Sequence, residues 1–303
     1  MDVTCIGDVN VDILTSNIKT YPKKDTQLLI EDLTMTTGGC AANTSKALAV
    51  LGAKTRLIAK AGNDVFGDCV RKDLAKVRNL DLHLSKGKRT GVTLAVTFED
   101  KMRSFLTYTG GNGEFSIKDV DLGAIKGKCL HTTSFFLLGL RGNTNRILDY
   151  AHEKGMITTF DPGFDPRGWK KKDVAQIRKT LRDVDIFFPN LSEAEAITGK
   201  KGKDKIVDAL LSMGVGIVAL KMGCKGSYVC TKQERTFVPP FKIKNVVDTT
   251  GAGDVYAAGF IYAYLKAWDL QECARFASAA AALKTRGFGS SKYPRYKEVE
   301  AML

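Results

Sequence analysis

The stretch that decides the fold is Asp248-Thr249-Thr250-Gly251-Ala252-Gly253-Asp254, followed at once by the apolar run Val255-Tyr256-Ala257-Ala258-Gly259-Phe260. Gly251, Ala252 and Gly253 are small residues opening a helix predicted over 255–266, so their N–H groups point outward unobstructed. With the helix dipole behind them, they form a natural anion hole. Asp254 is out of place if that hole holds only a phosphate, because like charges repel. It makes sense if a hydroxyl lies between carboxylate and phosphate: Asp254 takes the proton while the amides hold the transferring phosphoryl group. Phosphoryl transfer relies on positioning and charge stabilisation, which suits this pairing. A plainer role, a carboxylate stabilising a helix start, fits Asp254 as well. Two rival phosphate loops fail at named positions. The Gly62 to Gly67 spacing is followed by Asp68 rather than Lys, and position 256, where a dinucleotide fingerprint needs glycine, is Tyr.

A second cluster, Gly38-Gly39-Cys40-Ala41-Ala42-Asn43, closes an extended segment and opens a helix over 42–51. Small side chains there let a ligand approach the backbone, and Asn43 offers both a donor and an acceptor to a polyol. A tight turn into a helix packed closely on a sheet would use the same residues.

Around these clusters, β-rich runs alternate with helical ones. Residues 3–7, 55–60, 129–137, 156–160, 186–188 and 215–220 read as core strands, with 66–77, 143–152, 174–181 and 205–213 as helices. Repeated strand, helix, strand units predict a mostly parallel sheet covered on both faces. Residues 27–37 and 90–109 break that rhythm with extended segments and no helix between. They predict a separate β-layer, a flap formed by about 13–37 and 90–111. Residues 228–238 read as a hairpin, and 270–284 as a final Ala-rich helix. No repeat and no long linker divides the chain, so 1–303 is expected to be one α/β domain with a β-flap.

Composition narrows the function. At 303 residues, the chain needs no disulfide or metal to fold. Apolar residues at 44% and charged residues at 26% are ordinary globular values. Lys and Arg exceed Asp and Glu by 46 to 33, and this +13 balance points to anionic partners. The longest apolar stretches, 255–265 and 274–283, fall short of the roughly 18 residues that cross a bilayer, and the N-terminus lacks a secretion signal. Seven cysteines, odd in number and never spaced C-x-x-C, predict reduced thiols in a cytoplasmic protein. His83, His131 and His152 are too sparse for a zinc site, which leaves a carboxylate as the catalytic base.

The two clusters, in this order and separation, resemble the two signatures of the ribokinase-like (PfkB) carbohydrate kinase family. The first runs from Gly38 to Asn43 and continues through Leu51-Gly52-Ala53 and Gly62-Asn63-Asp64-Val65-Phe66-Gly67-Asp68. The second is Asp248 to Asp254. Lesser matches are Gly7-Asp8-Val9-Asn10-Val11-Asp12, Asn190-Leu191-Ser192-Glu193, and Lys221-Met222-Gly223-Cys224-Lys225-Gly226. The resemblance runs nearly end to end. It implies a three-layer ribokinase-like α/β fold with a β-sheet lid. It also implies an ATP-dependent kinase phosphorylating a hydroxymethyl group of a small carbohydrate, with Mg²⁺.

By the same resemblance, Asp254 matches the catalytic base and Gly251, Ala252 and Gly253 the anion hole. Asn10, Asp12, Gly39 and Asn43 match positions that bond sugar hydroxyls. Lys221, Gly223, Gly226, Asn190 and Thr249 would line the nucleotide site. Glu193 would help place Mg²⁺ through water, although Asn190 and Glu193 also spell a helix capping box. Asp248, Thr250 and the loop 285–290 fall where some members bind K⁺ through carbonyls.

There are departures. Ribose kinases of the family carry Lys-Gly after the glycine pair, where this chain has Cys40-Ala41, which weakens ribose as the substrate. The segment 161–169 is similar to the Asp-x-Asn-x-Arg loop of fructose and ketodeoxygluconate kinases, but Gly163 replaces the Asn. Arg167 also comes two residues late, leaving it as a candidate phosphate or carboxylate contact.

The alternative within the fold is a nucleoside kinase, with Phe105, Tyr108, Phe135 or Phe136 as a wall for the base. A nucleic-acid-binding protein would suit the +13, but the basic residues are scattered in short sets and no binding motif appears. A silent sugar sensor would not need an intact Asp254. The expected partners are therefore a sugar and ATP, with neither nucleic acid nor membrane, and the flap edge invites a homodimer.

Overall fold

A computed structural model describes the chain except for residues 101, 137, 290 and 291. Leu137, the expected end of a strand, and Ser290, the end of the loop 285–290, therefore lie outside the described residues, as does position 101 of the flap.

Thirteen strands are assigned among the described residues: β1 (Val3–Ile6), β2 (Asn10–Thr15), β3 (Leu33–Gly38), β4 (Thr55–Gly62), β5 (Leu80–Gly87), β6 (Gly91–Thr97), β7 (Arg103–Tyr108), β8 (Cys129–Thr133), β9 (Ile157–Asp161), β10 (Ile186–Phe187), β11 (Ile217–Lys221), β12 (Ser227–Cys230) and β13 (Arg235–Val238). Nine of them form one sheet in the order β13-β12-β11-β10-β9-β8-β1-β4-β5. Pairing is parallel from β5 to β11, for example Val3 with Thr55 on one side and Cys129 on the other. The expected hairpin, β12 and β13, adds two antiparallel strands at one edge.

The central strands read as unbroken apolar runs because both faces are covered. Along β11, Ile217 and Ala219 enter one core and Val218 and Leu220 the other. The first core lies beneath helices Cys40–Leu51, Ala252–Tyr264 and Leu270–Lys284. The second is roofed by Thr144–Glu153, Lys171–Thr180, Leu191–Thr198 and Lys203–Ser212. Helix Ala252–Tyr264 is buried along most of its length, and a Cβ at Gly259 would sit 3.0 Å from the Ala277 Cα. Glycine there lets the two helices pack backbone to backbone.

The second sheet has the order β3-β2-β6-β7. It starts where the chain leaves the main sheet after β1, with Asn10 of β2 paired to both Gly38 and Gly91. Leu33, Met35, Phe105, Leu106 and Tyr108 on it are exposed.

Three readings shift. The run 27–32 is not strand, and Leu28, Leu29 and Ile30 are exposed. The strand expected over 129–137 stops at Thr133, because Ser134 adopts a φ of +59° that breaks the extended run. Strand β5 was not anticipated, although Leu80, Leu82 and Leu84 recur at period two. No helix among the described residues is long and apolar enough to cross a membrane.

Candidate active site

The carboxyl ends of the parallel strands meet the N-termini of helices Cys40–Leu51 and Ala252–Tyr264, the usual ligand crevice of an open α/β sheet. Both helices are entered through a glycine with positive φ, Gly39 at +100° and Gly251 at +74°. An alanine Cβ at 39 would fall 2.6 Å from the Asp8 carbonyl oxygen, so this turn admits only glycine.

Asp254 stands at the centre. Its Oδ2 accepts from Asn43 Nδ2 at 2.8 Å, and the Asn43 Oδ1 accepts from the Tyr293 hydroxyl at 2.9 Å. Burial pushes the Asp254 carboxyl up to about 7, reinforced by Asp161 and opposed by the Asn43 amide and Lys221. The carboxyl is thereby poised near neutrality.

The three residues expected to form an anion hole differ in how their amides are engaged. The Ala252 N–H closes a turn on the Thr249 carbonyl at 3.2 Å. The Gly251 and Gly253 amides have no such partner among the described residues. Lys221, at the end of β11, reaches over the same turn; a Cβ on Gly253 would sit 3.4 Å from its Nζ. Its ammonium is paired with Asp161 at 2.5 Å. Burial alone would lower its pKa, but Asp161 and Glu193 outweigh it and hold the group charged.

Asn190 caps helix Leu191–Thr198, accepting from the Glu193 N–H at 2.9 Å, while Glu193 accepts from the Asn190 N–H at 2.8 Å. The capping box is therefore real. The pair also borders the site, since the backbone of Asn190 bridges that of Lys221. Glu193 is 4% exposed, and burial pushes its carboxyl up against the pull of Lys221. Gly223 and Gly226 shape the turn after β11, with φ of +58° and +92° and Met222 N–H bonded to the Gly226 carbonyl at 2.9 Å. Thr249 is exposed.

Asn10 is buried, its Oδ1 accepting from Asn112 Nδ2 at 2.5 Å. The Asp12 carboxylate lies against Gly38, where a Cβ would overlap it at 1.9 Å. Burial, then Asp8 and Asp248, push Asp12 up to about 7.

Arg167 is not presented to this centre. Its guanidinium lies 3.7 Å from Asp165 and 3.9 Å from Asp173, and it donates to the Phe136 carbonyl. The Asp248 carboxylate carries Arg103 at 2.5 Å, and Arg103 also bonds the Thr250 hydroxyl. Of the four rings named for a base, Phe135 and Phe136 pack into the core, and Phe105 and Tyr108 are exposed on the second sheet.

Sequence reasoning missed Arg103, Asn112, Tyr293 and the roles of Asp8 and Asp161. Asp8 accepts from the Ala41 N–H and the Ser134 hydroxyl at 3.2 and 2.6 Å. Asp161 had one usable signal, its place at the end of a parallel strand. The others approach from distant segments.

The family described as pfkB family carbohydrate kinase matches residues 1–295. An uncharacterized sugar kinase of Archaeoglobus fulgidus is 30% identical over 245 residues, 80% of this chain and 96% of that protein. A nucleoside kinase of Methanothermobacter thermautotrophicus is 29% identical over 286 residues, 92% of this chain and 88% of its own. The structure of Arabidopsis thaliana ribokinase complexed with ribose and ATP superposes with a TM-score of 0.84 at 23% identity, covering 99% of this chain and 98% of that one.

Proposed function

The chain belongs to the pfkB family of carbohydrate kinases, and from that premise we propose that it transfers the γ-phosphate of ATP to a hydroxymethyl group of a small carbohydrate. The observation that carries this reading is Asp254, half-buried at the mouth of a helix N-terminus, held by Asn43 and pushed up to about 7. Asp254 removes the hydroxyl proton, and the oxygen attacks the γ-phosphorus in line as its bond to the β,γ-bridging oxygen breaks and ADP leaves. The Gly251 and Gly253 amides and Lys221 receive the charge that develops on the phosphoryl oxygens. Asn10, Asp12, Gly39 and Asn43 hold the sugar hydroxyls, and the second sheet acts as a lid that limits water.

The donor set fits Mg²⁺. Asp161 and Glu193 offer only oxygens, and both bear on Lys221. Such a site suits an ion that keeps water and phosphate as ligands. Glu193 through water, with Asp161 near, would hold it, and it would neutralise phosphate charge.

A nucleoside acceptor is the second reading, favoured by the nucleoside kinase relative. Against it, Phe135 and Phe136 are locked in the core. Arg167, tied to Asp165 and Asp173, does not favour an acidic sugar.

ADP release across a panel of neutral sugars, sugar acids and nucleosides decides the acceptor. Asp254→Asn should keep sugar binding and lose on the order of 10²–10⁴ in turnover. Unchanged turnover would remove Asp254 from the role.

A further inference from the structure

The turn that opens helix Ala252–Tyr264 is held by a side chain from the other sheet. Arg103 begins β7, the outer strand of the second sheet. Its Nη1 lies 2.5 Å from Asp248 Oδ1 and bonds the Thr250 hydroxyl, with the guanidinium over the Phe288 ring at 5.8 Å from its centre. The Thr250 N–H donates to the same Oδ1 at 2.7 Å, and the Gly289 N–H to Oδ2 at 2.6 Å. One carboxylate thus ties together the second sheet, the turn before the anion hole and the loop after helix Leu270–Lys284.

The pair is enclosed. The Asp248 side chain is 0% exposed and that of Arg103 is 11% exposed. A carboxylate buried so completely requires a positive partner. The family resemblance implied a monovalent cation held by carbonyls at Asp248, Thr250 and the loop 285–290. Among the described residues, the charge such a cation would supply is already in place. Both side chains are engaged by a guanidinium, and the Gly289 carbonyl accepts from the buried Lys284 Nζ at 2.6 Å. Two fixed side-chain cations stand where a mobile one was expected.

We propose that Arg103 is the built-in cation of this site, a positioning residue that couples seating of the second sheet to ordering of the Asp248–Thr250 turn, so that phosphoryl transfer needs no added monovalent cation. The dependence on turnover rests on the kinase reading; the coupling does not. A planar guanidinium suits the task because it engages carboxylate and hydroxyl together and still stacks on a ring. A consequence is that the anion hole is fully set only while the second sheet is seated.

The test has two arms. At constant ionic strength, wild-type ADP release is expected to be equal in potassium, sodium and tetramethylammonium chloride. Arg103→Met should lose about 10- to 100-fold in kcat through misplacement of the turn, with Arg103→Lys restoring part of it. Activation of the wild type by potassium, a melting temperature raised by potassium over tetramethylammonium, or an Arg103→Met enzyme with wild-type kcat would overturn the proposal. The second arm is amide hydrogen exchange, which needs no turnover. In Arg103→Met, exchange should quicken together in 103–108 and 249–253 while the main-sheet strands keep their protection. Loosening confined to 103–108 would overturn the coupling. An absence of ADP release with every acceptor would instead sink the kinase reading, leaving exchange and melting to judge Arg103.

Discussion

Asn43 donates to Asp254 across 211 positions of sequence, at 2.8 Å. The contact joins the two glycine-entered helix starts face to face, so the residue expected to hold the sugar and the residue expected to deprotonate it form one unit. Tyr293 fixes the direction of that bond. Its hydroxyl donates to the Asn43 oxygen, which leaves the amide nitrogen for Asp254. Geometry and electrostatics then act together: the half-buried carboxylate is desolvated enough to be raised and anchored enough to stay aimed.

A pH dependence follows with a definite sign. Burial first, then Asp161, raise Asp254 to about 7, and the base works only when deprotonated. The rate constant kcat/KM should therefore fall as pH drops through about 7. Asp161→Asn removes one raising charge and leaves Lys221 without its paired carboxylate, so the acidic limb should move to lower pH. Asp12 is also raised to about 7, but by burial, Asp8 and Asp248, without Asp161. An acidic limb unmoved in Asp161→Asn would assign the titration to Asp12 instead.

The capping box and the phosphate role of Glu193 can be separated. Glutamine at this position still accepts from the Asn190 N–H and completes the box, whereas it removes the charge that faces Lys221. Glu193→Gln should thus melt close to the wild type but show a raised KM for Mg²⁺-ATP. Asn190→Ala should instead cost about 1 kcal/mol of stability through loss of the cap. Unfolding curves and ATP titrations on both variants check this; a Glu193→Gln enzyme with wild-type KM leaves the residue as a cap alone.

What was legible in the sequence were features with local causes. Gly251 to Asp254 and Gly38 to Asn43 announce helix starts because small residues and a carboxylate must lie within one turn of each other. Strand β11 announces itself as a short apolar run because both of its faces are covered. Arg103 was invisible: it is a charged residue at the head of an exposed strand, and its partners Asp248 and Thr250 lie 145 and 147 positions away. Likewise nothing near Tyr293 in the chain points to Asn43. Arg167 misled for the converse reason, since two acids, Asp165 and Asp173, sit close enough in sequence to claim it. Local pattern picked out the glycine-entered helix start and Asp254; the polar contacts that aim them are set by topology.

Two glycines that share a positive φ differ in ψ and in what surrounds them, and both differences point the same way. Gly52 is left-handed, with φ +108° and ψ 3°, whereas Gly39 has φ +100° with ψ 134°, outside the region that other residues reach. Alanine at 52 would meet nothing within 4 Å, so Gly52→Ala should cost only the left-handed penalty, about 1–2 kcal/mol. Alanine at 39 would press on the Asp8 carbonyl at 2.6 Å and the Val9 Cα at 2.9 Å, both backbone atoms that cannot swing aside. Gly39→Ala should therefore destabilise more than Gly52→Ala. By displacing the segment that leads into Asn10, it should also raise the KM for the sugar, which Gly52→Ala should leave alone. Urea unfolding and sugar titration of the pair provide the measurement. Equal losses of stability with unchanged sugar KM would show that the Gly39 turn serves the helix start alone and takes no part in seating the substrate.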